Sequence, residues 1–248
     1  MTTSNLKILF FDLETIAKPF TTSRERIRSE DTAVCSFLYA WGDKGKVQSI
    51  DLSAFPADFK KDPFNDKKLL QAAAKVILEA DVLVAHYGSG FDKPILRTRF
   101  ILSGLDDAAQ HMQRTKLIDT CIMARQIYRV NSSSLRYLAK LLRLTPKLES
   151  KNDFWVGVMR SNMKAMKDMT RYGKGDVVTL RELYMHERKF APNHPNFAFG
   201  QKDGCPVCTS KWIIILKKPW FQGKTVYDTK KCRKCSSVFR GAKKKEQI

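Results

Sequence analysis

Four short stretches carry residue types at spacings that could do chemistry. Asp12-Leu13-Glu14 closes a largely apolar run, Leu6-Lys7-Ile8-Leu9-Phe10-Phe11. Side chains alternate along a strand, so both carboxylates leave one face, about 7 Å apart. Such a pair can share a hard divalent cation, or it can be ordinary solvated surface. Asp92 ends the segment His86-Tyr87-Gly88-Ser89-Gly90-Phe91-Asp92. Its two glycines allow a tight turn close to a ligand, and Phe91 can bury its ring beside the acid or stack on a base. The bland alternative for Asp92 is a helix N-cap. Asp176 closes Tyr172-Gly173-Lys174-Gly175-Asp176. Residues four apart share a helix face, although the glycines loosen that turn. An exposed acid beside a half-buried tyrosine is the plain reading. The fourth stretch is a pair of C-x-x-C motifs, Cys205/Cys208 and Cys232/Cys235, separated by 23 residues. Four thiolates in two knuckles make a closed, tetrahedral structural Zn²⁺ site; four free thiols or two disulfides are the alternatives.

The elements that must position these groups follow from periodicity and turn signals. Residues 6–11 read as a central strand because both faces are apolar. Strands over 33–41 and 46–52 flank the turn Gly42-Asp43-Lys44-Gly45. Leu69, Leu70, Ala73, Val76 and Ile77 place one apolar face on a helix over 67–80. Val82–Ala85 reads as a buried strand, and a helix begins near Lys93-Pro94, where proline suits the first turn. Helices are expected over 119–129 and, opened by Ser132-Ser133-Ser134, over 134–143. A last helix covers about 172–189. Strands first and then strands alternating with helices predict an α/β domain with a mixed sheet flanked by helices. Residues 190–196, with two prolines and two asparagines, mark a composition shift. The organisation expected is a catalytic domain over 1–190, a linker over 191–200, a small β-rich zinc module over 201–242 and a basic tail over 243–248. Within the module, strands are expected at 211–217, 224–228 and 237–240, with a Pro/Gly turn at 219–223.

Composition narrows the partners. Across 248 residues, Lys and Arg number 45 against 25 Asp and Glu, a net charge of +20. Half of that excess lies in residues 201–248, where 13 basic residues face 3 acidic ones. Charge this basic points to a polyanion. No run approaches the length of a membrane span, no leader is recognised at the N-terminus, and no long basic amphipathic helix suggests a membrane surface. Six cysteines, four of them in C-x-x-C pairs, fit a reducing compartment; Cys35 and Cys121 sit in apolar contexts and read as core. In the module, Lys211, Lys217, Lys218 and Lys224 interleave with Trp212, Trp220, Phe221 and Tyr227. Cations along a backbone with rings under bases make a single-strand binding surface. Trp220 and Phe221, expected at the turn, are the stacking candidates; Trp212 and Tyr227 read as module core. Arg97, Arg99, Lys140 and Arg143 are candidate backbone contacts in the first domain.

Taken together, the three acidic segments resemble the motifs of the DEDD-type 3′–5′ exonucleases, the DnaQ-like branch of the ribonuclease H-like superfamily. Tyr172, four before Asp176, matches the tyrosine subgroup (DEDDy). The resemblance covers roughly residues 5–190 and implies a ribonuclease H-like fold, while the cysteine module resembles a zinc ribbon. It implies metal-dependent phosphodiester hydrolysis with two Mg²⁺ (or Mn²⁺) ions and one structural Zn²⁺. Asp12 would bridge both catalytic ions, Glu14 and Asp176 would complete the nucleophile-side ion, and Asp92 would hold the second, in part through water. Tyr172 would hydrogen-bond the attacking water or the scissile phosphate. Metal activation of water makes a histidine base unnecessary. The chain departs from the family at Tyr87, where an asparagine is usual. Asp119 resembles an acid that opens the following helix, where an N-cap role is expected. The build is similar to stand-alone nucleases of bacteria or phages, which implies a cytoplasmic protein of replication, repair or recombination acting on DNA more than RNA. A structure-specific endonuclease, or a non-catalytic nucleic-acid-binding scaffold that docks to replication or recombination proteins, remains open.

Overall fold

The apolar run at the start of the chain forms β1, Ile8–Ala17. The strand does not end at the acids. β2 (Thr32–Trp41) pairs antiparallel along its whole length, with Leu9 opposite Trp41 and Glu14 opposite Ser36, so both carboxylates sit within a laddered strand. The register shifts between Glu14 and Thr15, the kind of irregularity that re-aims side chains next to a site. The computed structural model describes residues 6–17, 29–146, 153–201 and 203–244; part of the expected basic tail lies outside them.

β3 (Gln48–Asp51) follows, then α1 (Pro56–Lys61), α2 (Lys67–Leu78), β4 (Val82–Ala85), α3 (Asp92–Leu102), α4 (Asp106–Arg114), β5 (Lys116–Asp119), α5 (Thr120–Ile127), α6 (Leu135–Leu141), α7 (Asp153–Met159) and α8 (Met163–Glu187). The five strands form one mixed sheet in the order β3-β2-β1-β4-β5. β1 and β4 run parallel, as do β4 and β5, whereas β2 and β3 are antiparallel neighbours. β1 lies at the centre with both faces covered. Leu9, Phe11 and Leu13 join the large cluster built with Leu69, Leu70, Leu96 and Phe100 of α2 and α3. Phe10 faces the other way and meets Tyr184 of α8 edge to face at 5.4 Å. Leu9, Phe10 and Phe11 are fully buried. Burial of such side chains contributes about 1.5–3 kcal/mol each, so the strand bearing the acids is among the most firmly anchored.

Several boundaries differ from expectation. Residues 116–119 form an edge strand, so the helix expected over 119–129 begins at Thr120. α8 begins nine residues before the expected 172, at Met163. Gly173 and Gly175 therefore lie inside a continuous helix rather than in a loosened turn. The helix survives because tertiary packing outweighs the roughly 1 kcal/mol per glycine that propensity alone would cost.

The described chain divides into two compact units, one spanning Leu6–Tyr184 and the other beginning at Met185. In the second, β6 (Ile213–Gln222), β7 (Thr225–Cys232) and β8 (Val238–Lys243) form an antiparallel sheet in that order. β6 runs through the expected turn. Trp220 pairs with Tyr227 and Phe221 with Val226, so both rings lie on a strand and the turn falls at Gly223-Lys224. Lys243, expected in the tail, belongs to β8. In the stretch expected as a linker, Phe197 and Ala198 are buried, and the Phe197 amide donates to the Pro206 carbonyl at 2.7 Å.

Candidate active site and cysteine cluster

β1 and α8 bring three acids together. Carboxylate oxygens of Asp12, Glu14 and Asp176 lie within 4.8 Å of one another. Glu14 and Asp176 are buried and Asp12 is half-buried. Like charges this close repel unless a cation neutralises them, and an all-oxygen donor set suits a hard divalent ion. The residues present therefore fit such an ion. Asp92 is not among the three. It is buried as the first residue of α3, and its Oδ1 accepts from the Leu13 amide at 3.1 Å. It thus grips the backbone between the two β1 acids. Phe91, not Asp92, occupies the N-cap position of α3, and its half-buried ring packs against the main core.

α8 approaches the sheet closely. A Cβ on Gly173 would sit 2.7 Å from Leu38 Cδ1 and 3.3 Å from Glu14 Oε1. Only glycine lets the helix bring Tyr172 and Asp176 this near β1 and β2. Above this contact, the Ser36 and Thr170 hydroxyls meet at 3.1 Å, and Thr170 donates to Asp51 at 3.1 Å, tying α8 to β2 and β3. Tyr172 is buried, with its ring edge-on to Trp155 at 6.2 Å.

Beside Tyr172 opens a cleft of about 540 Å³, whose lining includes His86, Tyr87, Arg125, Ser133 and Arg136. Sequence reasoning did not single out Arg125 and Arg136, which lie on α5 and α6; no local spacing marks them. Asp119 caps α5 as expected, accepting from the Cys121 and Ile122 amides at 3.0 and 3.4 Å. It also accepts from the amides of Tyr87 at 2.9 Å and Ser89 at 3.0 Å, and from Ser89 Oγ at 2.5 Å. That one carboxylate fixes the loop leading to Asp92. Lys93 donates to the carbonyls of Gln113 and Thr115, and its pKa is lowered by burial and by the nearby Arg97 and Lys116.

Two expected backbone contacts are engaged elsewhere. The Arg99 guanidinium is held by the buried Asp66 carboxylate at 2.6 and 3.0 Å, a structural pair. Arg97 hydrogen-bonds Gln113. Lys140 is exposed on α6, and Arg143 follows that helix with φ +56°.

The second unit brings Cys205, Cys208, Cys232 and Cys235 together, their sulfurs within 4.8 Å of one another. Two Sγ–Sγ pairs, Cys205–Cys235 and Cys208–Cys232, are 3.6 Å apart. The two knuckles have the same backbone. The Thr209 amide donates to the Cys205 carbonyl at 2.8 Å and the Ser236 amide to the Cys232 carbonyl at 2.9 Å. Thr209 and Ser236 both take positive φ, 61° and 63°. Hydrogen bonds from Cys205 and Cys208 lower the Cys235 pKa, whereas those with Cys205 and Cys235 push Cys208 up. Four converging sulfurs on two matched knuckles fit a tetrahedral soft-ligand ion. Val207, Ile213 and Phe239 pack around them.

Trp212 and Tyr227 do not join that core, contrary to expectation. Trp212 is 61% exposed, with Arg233 5.9 Å from its ring centroid, and Arg240 stands 4.7 Å over Tyr227. So small a core closes around the cysteines and leaves no room for larger rings. Lys211, Lys217, Lys218 and Lys224 are exposed, as are Trp220 and, at 69%, Phe221. Among the described residues, no helix is long and apolar enough to cross a membrane.

A family model described as the RNase H superfamily matches residues 9–187. No curated protein matches the chain. Among solved structures, a family B DNA polymerase from the hyperthermophilic archaeon Pyrobaculum calidifontis is similar, with a TM-score of 0.56 and 14% identity. The match covers 82% of this chain and 26% of the polymerase, so the chain spans about a quarter of that protein's length.

Proposed function

The chain belongs to the RNase H superfamily, and from that premise we propose that it is a metal-dependent 3′–5′ exonuclease of the tyrosine DEDD subgroup, acting on DNA more than RNA. One observation carries the reading: Asp12, Glu14 and Asp176 converge within 4.8 Å, on the strand and helix where the exonuclease motifs place them. The DNA polymerase similarity supports DNA as substrate.

Asp12, Glu14 and Asp176 would hold the divalent ions, with Asp92 bracing the β1 backbone and serving the second ion. Bound there, such ions supply an activated water and neutralise charge at phosphorus. The chain's own work is placement. The β1–β2 ladder fixes two of the acids, Gly173 sets the approach of the third, and Tyr172 lines the cleft where it can hydrogen-bond a scissile phosphate. A preorganised site of this kind needs little rearrangement at the moment of reaction. The four cysteines would hold one structural Zn²⁺, making the second unit a zinc ribbon. Its exposed lysines and rings would bind a nucleic-acid strand. The resemblance to stand-alone nucleases of bacteria or phages favours a place in replication, repair or recombination.

The test is a time course on 3′- and 5′-labelled single-stranded and duplex DNA and RNA, with Mg²⁺, Mn²⁺ or chelator, beside Asp12→Ala. A metal-dependent ladder shortening from the 3′ end, absent in the variant, is expected. Discrete internal cuts would make the protein an endonuclease. Binding without cleavage on every substrate would make it a nucleic-acid-binding module on this fold.

A further inference from the structure

β2 carries one residue more than its ladder with β1 can pair. Glu14 lies opposite Ser36 and Thr15 opposite Val34, so Cys35 has no partner on β1. It is the extra residue of a β-bulge, a device that bends a strand and leaves one residue outside the ladder. The bulge falls directly across from Glu14. Cys35 and Ser36 are both fully buried there. The Cys35 thiol donates to the Glu14 carbonyl, with Sγ 3.1 Å from the oxygen. A side chain thus holds the Glu14 backbone at the step where the ladder slips.

The same bulge seats α8. Adjacent side chains on a regular strand leave by opposite faces. Cys35 and Ser36 instead both reach α8, and they meet consecutive residues of it. Cys35 Sγ lies 3.4 Å from Met169 Sδ, and Ser36 Oγ lies 3.1 Å from Thr170 Oγ1. Thr170 gives its one hydroxyl hydrogen to Asp51, so Ser36 is the donor in that pair. Met169, Gly173 and Asp176 stand at i, i+4 and i+7, along one stripe of the helix. That stripe has Cys35 beside Met169, Leu38 and Glu14 beside Gly173, and the carboxylates of Asp12 and Glu14 beside Asp176. Met169 and Asp176 are about 10 Å apart along the axis, and the helix carries a placement set at one to the other.

We propose that Cys35 and Ser36 are positioning residues for the acidic site: the bulge holds Glu14 by its backbone, fixes the seat of α8, and so sets where Asp176 stands against the β1 acids. This role rests on the reading that those acids hold a divalent ion. Mg²⁺ demands near-ideal geometry, with ligand oxygens at about 2.0–2.1 Å. A small displacement of Glu14 or Asp176 therefore weakens its hold.

The test uses the full chain and Mn²⁺ alone as the probe, with the free ion counted by electron paramagnetic resonance, so no cleavage is needed. The wild type should bind Mn²⁺, and Asp12→Ala should lose that binding. Cys35→Ala and Ser36→Ala should each weaken it about 10- to 100-fold, as loss of a group that orients a metal ligand does. Cys35→Ser keeps a donor for the Glu14 carbonyl and should stay close to wild type. In cleavage assays of the alanine variants, the Mg²⁺ concentration giving half the maximal rate should rise by the same factor, while the rate at saturating Mg²⁺ falls less. Urea unfolding of the same proteins isolates a purely structural role, which would lower the midpoint and leave ion affinity alone. Unchanged Mn²⁺ affinity in both alanine variants, whatever their midpoints, would overturn the positioning role and leave the acids standing as an ion site. Equal weakening in Cys35→Ser and Cys35→Ala would overturn the thiol's hold on Glu14. Mn²⁺ binding that is the same in the wild type and Asp12→Ala would remove the ion site itself, and the role of the bulge with it.

Discussion

The Asp119 carboxylate accepts from two amides of its own helix and from two amides and a hydroxyl of the loop before Asp92. The residue is 6% exposed, so water cannot take over these bonds. A buried donor left unpaired costs about 1–3 kcal/mol. Asp119→Ala strands several, and the expected loss of stability is about 3 kcal/mol, read from the denaturant midpoint at constant slope. Asp119→Asn keeps one oxygen, the one serving Tyr87, Cys121 and Ile122, and should lose about half as much. Equal losses for both variants would show that charge rather than acceptor geometry holds the loop. The local part of this role was legible in the sequence, because an N-cap acts over two or three residues. The part reaching back to Tyr87 and Ser89, some thirty residues away, was not. Nothing in local spacing records that β4 and β5 end side by side.

Among the elements, the misread boundaries have physical causes. Lys116–Asp119 pairs only along one edge of the sheet, and four residues give too short a run for a period-2 signal. The first half of α8 carried a helical signal, with Met166 and Met169 three apart and buried. The two glycines beyond them obscured it, since glycine usually interrupts helices. In this helix Gly173 serves packing rather than a turn, with Leu38 and Glu14 where its Cβ would go. Asp12, Glu14 and Asp176 stood out through the motif resemblance rather than through periodicity, and their carboxylates lie within 4.8 Å of one another. Gly173→Ala tests the packing account. Alanine gains helix propensity, about 1 kcal/mol, and meets crowding that costs about 1–3 kcal/mol. Net stability should fall by no more than about 2 kcal/mol. The larger effect should be on cleavage, because displacing α8 moves Tyr172 and Asp176 away from β1. A shift near 1 Å can cost about 100-fold in rate. A fall of tenfold or more in the Mg²⁺-dependent rate, with a stability loss of no more than about 2 kcal/mol from the unfolding midpoint, is the expected result. An unaltered rate would mean that the helix has room the close contact denies.

At the scale of the whole molecule, charge and architecture are partitioned differently. The unit beginning at Met185 holds a small cysteine-centred core and a three-stranded sheet, whereas residues 201–248 carry half of the +20 excess. A module with so little apolar burial is stable only if something other than hydrophobic area holds it, and four converging thiolates are the available device. With the small core gathered around the cysteines, β6 exposes Lys217, Lys218, Trp220 and Phe221. The sequence disclosed the charge and the cysteines but not which rings face water, because that depends on where the small core closes. If this surface tracks a phosphate backbone, each neutralised phosphate releases counterions, and the salt slope counts the contacts. Lys217→Gln, Lys218→Gln and Lys224→Gln together should lower the slope of log affinity against log salt by about 2 for single-stranded DNA. Whatever metal the four cysteines hold, measured on the same protein, should be unchanged, since none of the three lysines belongs to the cysteine cluster. A slope that does not change would place the phosphate contacts on the first unit, with α6 and its exposed Lys140 the next surface to neutralise.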